Sequence, residues 1–365
     1  IKRNHSIVYI KVECVDNDFN VQCYPREGYC IKGNRFVPVN LIDVAGLVED
    51  AHKGKGLGLS FLDDLRQGDA LIHIIDISGS TNEKGEQVEP LSYDPLKDVK
   101  FLEKEIDMWY LGILKKGWAN FVKLMVGKDN QNIKRALAKQ LSGLNVKEDD
   151  VETAIKELKF VHHPSEWNED DLFNLASCLR KKTKPMIIAA NKIDVDGAEF
   201  NLHRLQKEFP DMVAIPCSAE SELALREAAK HGLIEYIPGE RDFKIINRKR
   251  LSDKQEQALN FIKKNVLNKY GNTGVQEILD KAVFKLLNYI VVFPGGVNNL
   301  KDKNGRYIPD CFLIPGGSTA LDFAFKIHTD IGKNFIKAID VKKRLAVSKD
   351  HVLKNRDVIE IKTSA

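Results

Sequence analysis

The chain has no apolar run approaching the roughly 18 residues that a membrane-crossing helix requires. That argues against an integral membrane protein. It begins at Ile1 with no stretch resembling a secretory leader. Its six cysteines are scattered along 365 residues, which excludes a disulfide-stapled secreted scaffold and suits a reducing cytoplasm. Cys14, Cys23 and Cys30 do stand near one another. Their spacing is irregular and no fourth ligand is obvious, so free thiols are favoured over a metal site. Tandem repeats and low-complexity tracts are absent, which excludes solenoids and disordered linkers. A net charge of +4 says little by itself, but residues 285–365 alone carry +6, leaving the remainder slightly acidic. The basic end could favour a phosphate-rich partner, or could simply be a solvated lysine face.

What is present is an alternation. "FVPVNLIDVAG" (36–46), "ALIHIIDISGS" (70–80), "KPMIIAANKID" (184–194) and "DMVAIPCSAE" (211–220) are short apolar runs ending in polar turns. They read as strands separated by helical patterns, the pattern of a parallel α/β sheet covered on both faces. Residues 99–180 are too long for one crossover and read as an inserted helical arm. Its Trp109, Trp118 and Phe121 read as packing residues. From about residue 285 short strands and one helix alternate with Gly, Pro and Asp turns, suggesting a small α+β module. The expected division is 1–98 and 181–284 for the two parts of a nucleotide-binding domain, 99–180 for the arm, and 285–365 for the module.

The polar turns carry the chemistry. "NKID" (191–194) follows an apolar strand, with D-x-x-G upstream and "CSAE" downstream. A carboxylate at Asp194 can accept hydrogen bonds from guanine N1–H and the exocyclic amine. Adenine offers neither donor, and leaving a buried carboxylate unpartnered costs on the order of 1–3 kcal/mol. Asn191 can bond the base edge and brace neighbouring loops, and the stem of Lys192 can lie over the base plane. Ser218 and the Ala219 N–H are suited to guanine O6. A helix N-cap is the competing role for Asp194. In "DVAGLVEDAHKGKGLG" (43–58), Asp43 would hold Mg²⁺ through water, and the Gly46 N–H would reach a γ-phosphate. Leu47 cannot orient a water molecule. His52 can, if the glycine-bearing loop after it folds inward. Asp76, Ser78 and Ser80 read as loop-capping residues.

A phosphate-binding G-x-x-x-x-G-K-[ST] is missing. "GYCIKGNR" (28–35) has the glycine spacing but Asn34 and Arg35 where Lys and Ser or Thr belong. The expectation is that this motif lies upstream of Ile1.

Taken together, "LIDVAGLVEDAHKGKGLGLSFLDDLRQGDALIHIIDISGST", "NKID", "CSAE" and "GGSTALDFAFKIHTDIGKNFIKAI" resemble the YchF-type GTPases of the Obg group. The tail resembles a TGS domain. The resemblance implies a P-loop NTPase-type parallel sheet with a helical arm and a C-terminal β-grasp module. It implies a cytoplasmic Mg²⁺-dependent GTPase, with K⁺ as a possible further cofactor, and a ribosome or rRNA partner through the arm and TGS module. It also supports His52 in hydrolysis, with a hydrophobic residue, here Leu47, replacing the usual glutamine. Many relatives prefer ATP, whereas the retained Asn191, Lys192 and Asp194 point to GTP. The alternatives are an ATPase or a nucleotide-free RNA- or ribosome-binding module. No membrane partner is expected, and the sequence leaves the oligomeric state open.

Overall fold

Two sets of strands form for different reasons, and they belong to different compact units. The computed structural model describes residues 4–44, 64–160 and 162–364. One unit comprises Ile1–Asn4 and Ile42–Ile278, the other His5–Leu41 and Leu279–Ala365.

The first unit holds three parallel strands, Leu71–Asp76 (β4), Met186–Asn191 (β5) and Val213–Pro216 (β6). Met186 to Ala190 are all buried, which explains why this run is apolar without alternation. The register pairs Leu71 with Met186 and Asp76 with Asn191, then Ile187 with Val213 and Ala190 with Pro216. All three strands therefore end at one edge, and the polar turns leave from it. Helices Ala198–Glu208 (α6) and Ala219–Lys230 (α7) follow β5 and β6. Ile75, Ile77, Ile188, Leu202 and Leu205 share one hydrophobic cluster across this layer.

Between β4 and β5 the described residues form five α-helices: Leu96–Lys115 (α1), Trp118–Met125 (α2), Asn130–Gln140 (α3), Glu148–Glu157 (α4) and Glu169–Thr183 (α5). The start of α5 is a capping box between Asn168 and Asp171. Its acidic first turn and basic last turn complement the helix dipole. Trp109 and Phe121 are buried in the core of these helices, and Trp118 packs on it, stacked on Phe121 and Trp167. Each large apolar side chain buried there contributes about 1.5–3 kcal/mol. Arg180 is buried between Asp107 at 2.7 Å and Glu103 at 2.8 Å. After α7 come the short antiparallel pair Ile234–Glu235 (β7) and Lys244–Ile245 (β8), then Asp253–Ile262 (α8).

The second unit joins the two ends of the chain. Asn4–Glu13 (β1), Tyr29–Ile31 (β2) and Asn34–Asp43 (β3) form a separate sheet in the order β1-β3-β2. The run from residue 36 was expected in the parallel sheet. Instead, β2 and β3 make an antiparallel hairpin with Ile31 opposite Asn34. The reason is local: Lys32 and Gly33 both adopt positive φ, 48° and 76°, the two-residue turn that strand twist favours. The expected first domain part, 1–98, is thus divided, with His5–Leu41 grouped with the C-terminal residues. Ile10, Val12 and Val37 share a core with Val291, Phe293 and Val358.

The C-terminal sheet comprises Tyr289–Pro294 (β9), Phe312–Pro315 (β10), Phe335–Asp340 (β11), Leu345–Val347 (β12) and Asp357–Thr363 (β13), ordered β10-β9-β13-β11-β12. Strands β9 and β13 are parallel, and the other neighbours antiparallel. Helix Ala320–Ile327 (α9), with Thr319 and Asp322 as its capping box, buries Phe323 against Val292 and Ile359. Thr329–Lys333 (α10) follows. This mixed sheet with its helix is the β-grasp arrangement expected from the sequence.

Candidate functional site

The edge where β4, β5 and β6 end is where an open parallel sheet binds ligands. Asn191 closes β5, and its side-chain oxygen accepts the Ala219 N–H at 3.0 Å. That bond ties the turn after β5 to the start of α7. The Ile193 N–H adds a second tie, donated to the Cys217 carbonyl at 3.2 Å. Asn191 therefore braces the two loops.

Lys192 adopts a positive φ of 63°, which turns its side chain back toward β4. Its ammonium donates to Asp76 Oδ2 at 2.8 Å and to Ser80 and Thr81 hydroxyls at 3.1 Å each. Asp76 also accepts Ser78 Oγ at 2.5 Å, Ser80 Oγ at 2.9 Å and Thr81 Oγ1 at 2.7 Å. Burial alone would raise the Asp76 carboxyl. The Lys192 ammonium and the three hydroxyls outweigh it and hold the carboxyl at about 2. The capping role read for Asp76, Ser78 and Ser80 is therefore present, and the link to Lys192 adds to it. No local pattern points to Thr81 or to that link, since only the ladder brings residue 76 beside residue 191.

Asp194 lies half-buried in the turn between β5 and α6. It does not cap the helix, because the N-cap of α6 is Gly197. Among the described residues its carboxylate makes no hydrogen bond and no ion pair. Its charge is felt nearby: burial, with the Asp194 carboxylate adding to it, pushes the Cys217 thiol up to about 12. Burial, the bond to Glu199 and the Asp194 charge likewise raise the Tyr270 hydroxyl.

Ser218 is buried and caps α7, accepting the Ser221 N–H at 3.2 Å and contacting its hydroxyl at 2.8 Å. In this arrangement the Ser218 hydroxyl and the Ala219 N–H both serve the loop. Sequence reasoning missed what supports that loop from behind. The Ser218 N–H donates to the Thr273 carbonyl at 2.9 Å. Gly274 passes so close that a Cβ there would sit 2.1 Å from the Pro216 carbonyl oxygen, so only glycine fits. The buried Glu222 accepts from Arg226 at 2.6 Å, Tyr236 at 2.7 Å and Thr273 at 2.5 Å. The only visible signal was "NTG" (272–274), a turn-like tripeptide far from any motif.

Asp43 is the exposed last residue of β3. Among the described residues, its sheet shares no ladder with β4, β5 and β6. Gly46, Leu47 and His52 lie outside the described residues.

Residues 189–297, which contain Asn191 to Asp194 and Ser218, match the family described as "Obg-like GTPase YGR210-like, G4 motif-containing domain". Residues 298–363 match the TGS domain. An uncharacterized GTP-binding protein of Methanocaldococcus jannaschii is 49% identical over all of this chain and 91% of its own. The chain belongs to the YchF-type, Obg-like GTPase family. The fold agrees. The crystal structure of a GTP-binding protein from Pyrococcus horikoshii aligns with a TM-score of 0.78 and 37% identity, covering 99% of this chain and 93% of that one. A more distant family relative, the ribosome-binding ATPase YchF of Buchnera aphidicola, is 27% identical over 94% of this chain and 79% of its own. Among the described residues no helix is long and apolar enough to cross a membrane.

Proposed function

We propose that this protein binds GTP at the edge formed by the ends of β4, β5 and β6 and hydrolyses it to GDP and phosphate while acting on the ribosome. The observation that carries the reading is the unpartnered Asp194 carboxylate. It stands beside two loops that Asn191 and Ala219 lock together at 3.0 Å. A carboxylate held near a braced site with free acceptor capacity suits a planar base edge that donates twice, as guanine does. The Lys192 stem spans the gap between the base loop and Asp76. Held there by its ammonium, it can cover a bound base without losing rotamer freedom on binding.

Hydrolysis is assigned to Asp43, Gly46 and His52. Asp43 is a hard oxygen donor exposed at a strand end, which fits Mg²⁺ held through water. The ion would supply charge neutralisation for the phosphates. Gly46 would donate its N–H to the γ-phosphate, and neutral His52 would accept a hydrogen bond from the attacking water. Replacing His52 by alanine is expected to lower turnover at saturating GTP by about 10²-fold or more while leaving GTP affinity within about threefold. An unchanged rate contradicts the histidine assignment.

The ribosomal role rests on the relative known as ribosome-binding ATPase YchF and on the +6 charge of residues 285–365. That relative is named an ATPase, which makes ATP the second reading. Equilibrium titration of the full chain with fluorescent GTP and ATP separates the two. Preference for GTP by at least about tenfold is expected, and comparable affinities overturn guanine recognition by Asp194.

A further inference from the structure

The fold gathers what the sequence leaves dispersed in the loop between β1 and β2. Cys14 follows β1 directly, Asp16 and Cys23 lie in the connection, and Cys30 is the middle residue of β2. Cys14 Sγ is 3.5 Å from Cys23 Sγ, and Cys30 Sγ is 3.8 Å from Asp16 Oδ2. One ligand atom from each of the four residues lies within 4.8 Å of all the others. A zinc–sulfur bond of about 2.3 Å makes the edge of a tetrahedral site about 3.8 Å, so four ligands already stand at nearly the required separation. The fourth ligand that no spacing rule suggests is the aspartate two residues after the first cysteine.

We propose that Cys14, Asp16, Cys23 and Cys30 form a structural tetrahedral zinc site. Thiolate-rich tetrahedral sets select zinc over magnesium or calcium, and four protein ligands leave no open position for catalysis. Cys14, Asp16 and Cys23 are buried and Cys30 half-buried, as a closed structural centre requires. The chain between residues 20 and 28 has no helix or strand of its own. Backbone bonds from Tyr24 to the Tyr307 carbonyl and from Arg26 to the Pro309 carbonyl, 2.9 Å each, hold part of it, and a metal crosslink at Cys23 would add to them. Cys14 is already anchored, its N–H donating to the Gly33 carbonyl at 2.7 Å.

A second observation points the same way. Arg35, opposite Cys30 in the β2–β3 ladder, is only 1% exposed. Two of its nitrogens donate to the Ile308 and Pro309 carbonyls at 3.2 and 2.8 Å. Its Nε has no partner, and among the described residues no carboxylate pairs with the guanidinium. A buried cation without a counter-charge is costly. Three thiolates, one carboxylate and one Zn²⁺ carry a net charge of −2, which balances it in part. Binding displaces the three thiol protons into solvent.

The test uses the full chain, purified under reducing conditions, with metal content measured by mass spectrometry and then Co²⁺ exchanged for the native ion. The expected result is one zinc per chain. The cobalt form should show a thiolate-to-metal charge-transfer band and the visible d–d bands of a tetrahedral centre. Cys23→Ser should weaken cobalt binding by at least about tenfold. Cys178→Ser, in the helical arm, should leave it unchanged. Asp16→Cys keeps the site even if Cys23→Ser fails to fold, and should strengthen the charge-transfer band by one thiolate. Reduced wild-type protein that takes up neither zinc nor cobalt overturns the proposal. So does a Cys14–Cys23 disulfide recovered from the reduced preparation, equal metal binding by the Cys23→Ser and wild-type chains, or an Asp16→Cys spectrum identical to wild type.

Discussion

Glu222 and Asp194 are two carboxylates near the same sheet edge, and their surroundings are opposite. Glu222 is buried in the first turn of α7 and occupied by three donors, Arg226, Tyr236 and Thr273. Asp194 is half-buried and has no partner among the described residues. The first holds the loop, and the second has its acceptors free for something the loop presents itself to. Asp76 resembles Glu222: four side-chain donors converge on it, and one of them, Lys192, belongs to the turn after β5. Saturated acceptors build this edge, and a free one marks where it can read a ligand.

That contrast can be broken in stages. The largest effect is expected at Glu222. Glu222→Ala strands two buried donors, Tyr236 and Thr273, and removes the partner of Arg226, whose side chain is 41% exposed, and should destabilise the first unit by about 2–4 kcal/mol in urea unfolding. A loss below about 1 kcal/mol would show that these bonds do not support the loop.

An intermediate effect is expected at Lys192. The Asp76 carboxyl is held low, at about 2 against its usual 3.8. A depressed carboxyl contributes stability that is fully present above the unfolded value and is lost as pH falls through the folded one. Lys192→Met should therefore cost on the order of 1 kcal/mol near neutral pH, a figure reduced for the 41% exposure of the lysine. The difference from wild type should shrink between pH 4 and pH 2. A penalty that stays constant across that window would mean that the lysine acts by packing rather than by charge.

The smallest effect is expected at Asp194. Asp194→Asn should change unfolding stability by less than about 0.5 kcal/mol, since nothing in the fold depends on that carboxylate. A loss comparable to that at Glu222 would erase the distinction between the two residues.

Much of this was legible in the sequence. Met186–Ala190 is an unbroken apolar run, so its strand, its burial and the exit of Asn191 and Lys192 at one edge all follow from pattern. The caps of α5 and α9 are written as Asn168–Asp171 and Thr319–Asp322. What stayed hidden depends on contacts distant in the chain. Thr273 and Gly274 meet the Cys217–Ser218 loop from more than fifty residues away. The grouping of His5–Leu41 with the C-terminal sheet rests on apolar packing of Ile10 and Val12 against Val291 and Phe293, which no local pattern encodes. The three N-terminal cysteines stand near one another in the sequence, but their irregular spacing showed no fourth ligand; the hairpin at Lys32–Gly33 helps fold Cys30 back beside Asp16.

The role proposed for Asp194 is to read guanine by what the base donates. Its most direct test is the affinity of wild type and Asp194→Asn for three nucleotides, GTP, ATP and xanthosine triphosphate. Xanthine presents an acceptor where guanine has its exocyclic amine, and asparagine supplies a donor to match it. Wild type is expected to prefer GTP, and Asp194→Asn to lose about 10- to 100-fold in GTP affinity, consistent with about 1–3 kcal/mol, while gaining xanthosine triphosphate. Undiminished GTP binding by Asp194→Asn would contradict it.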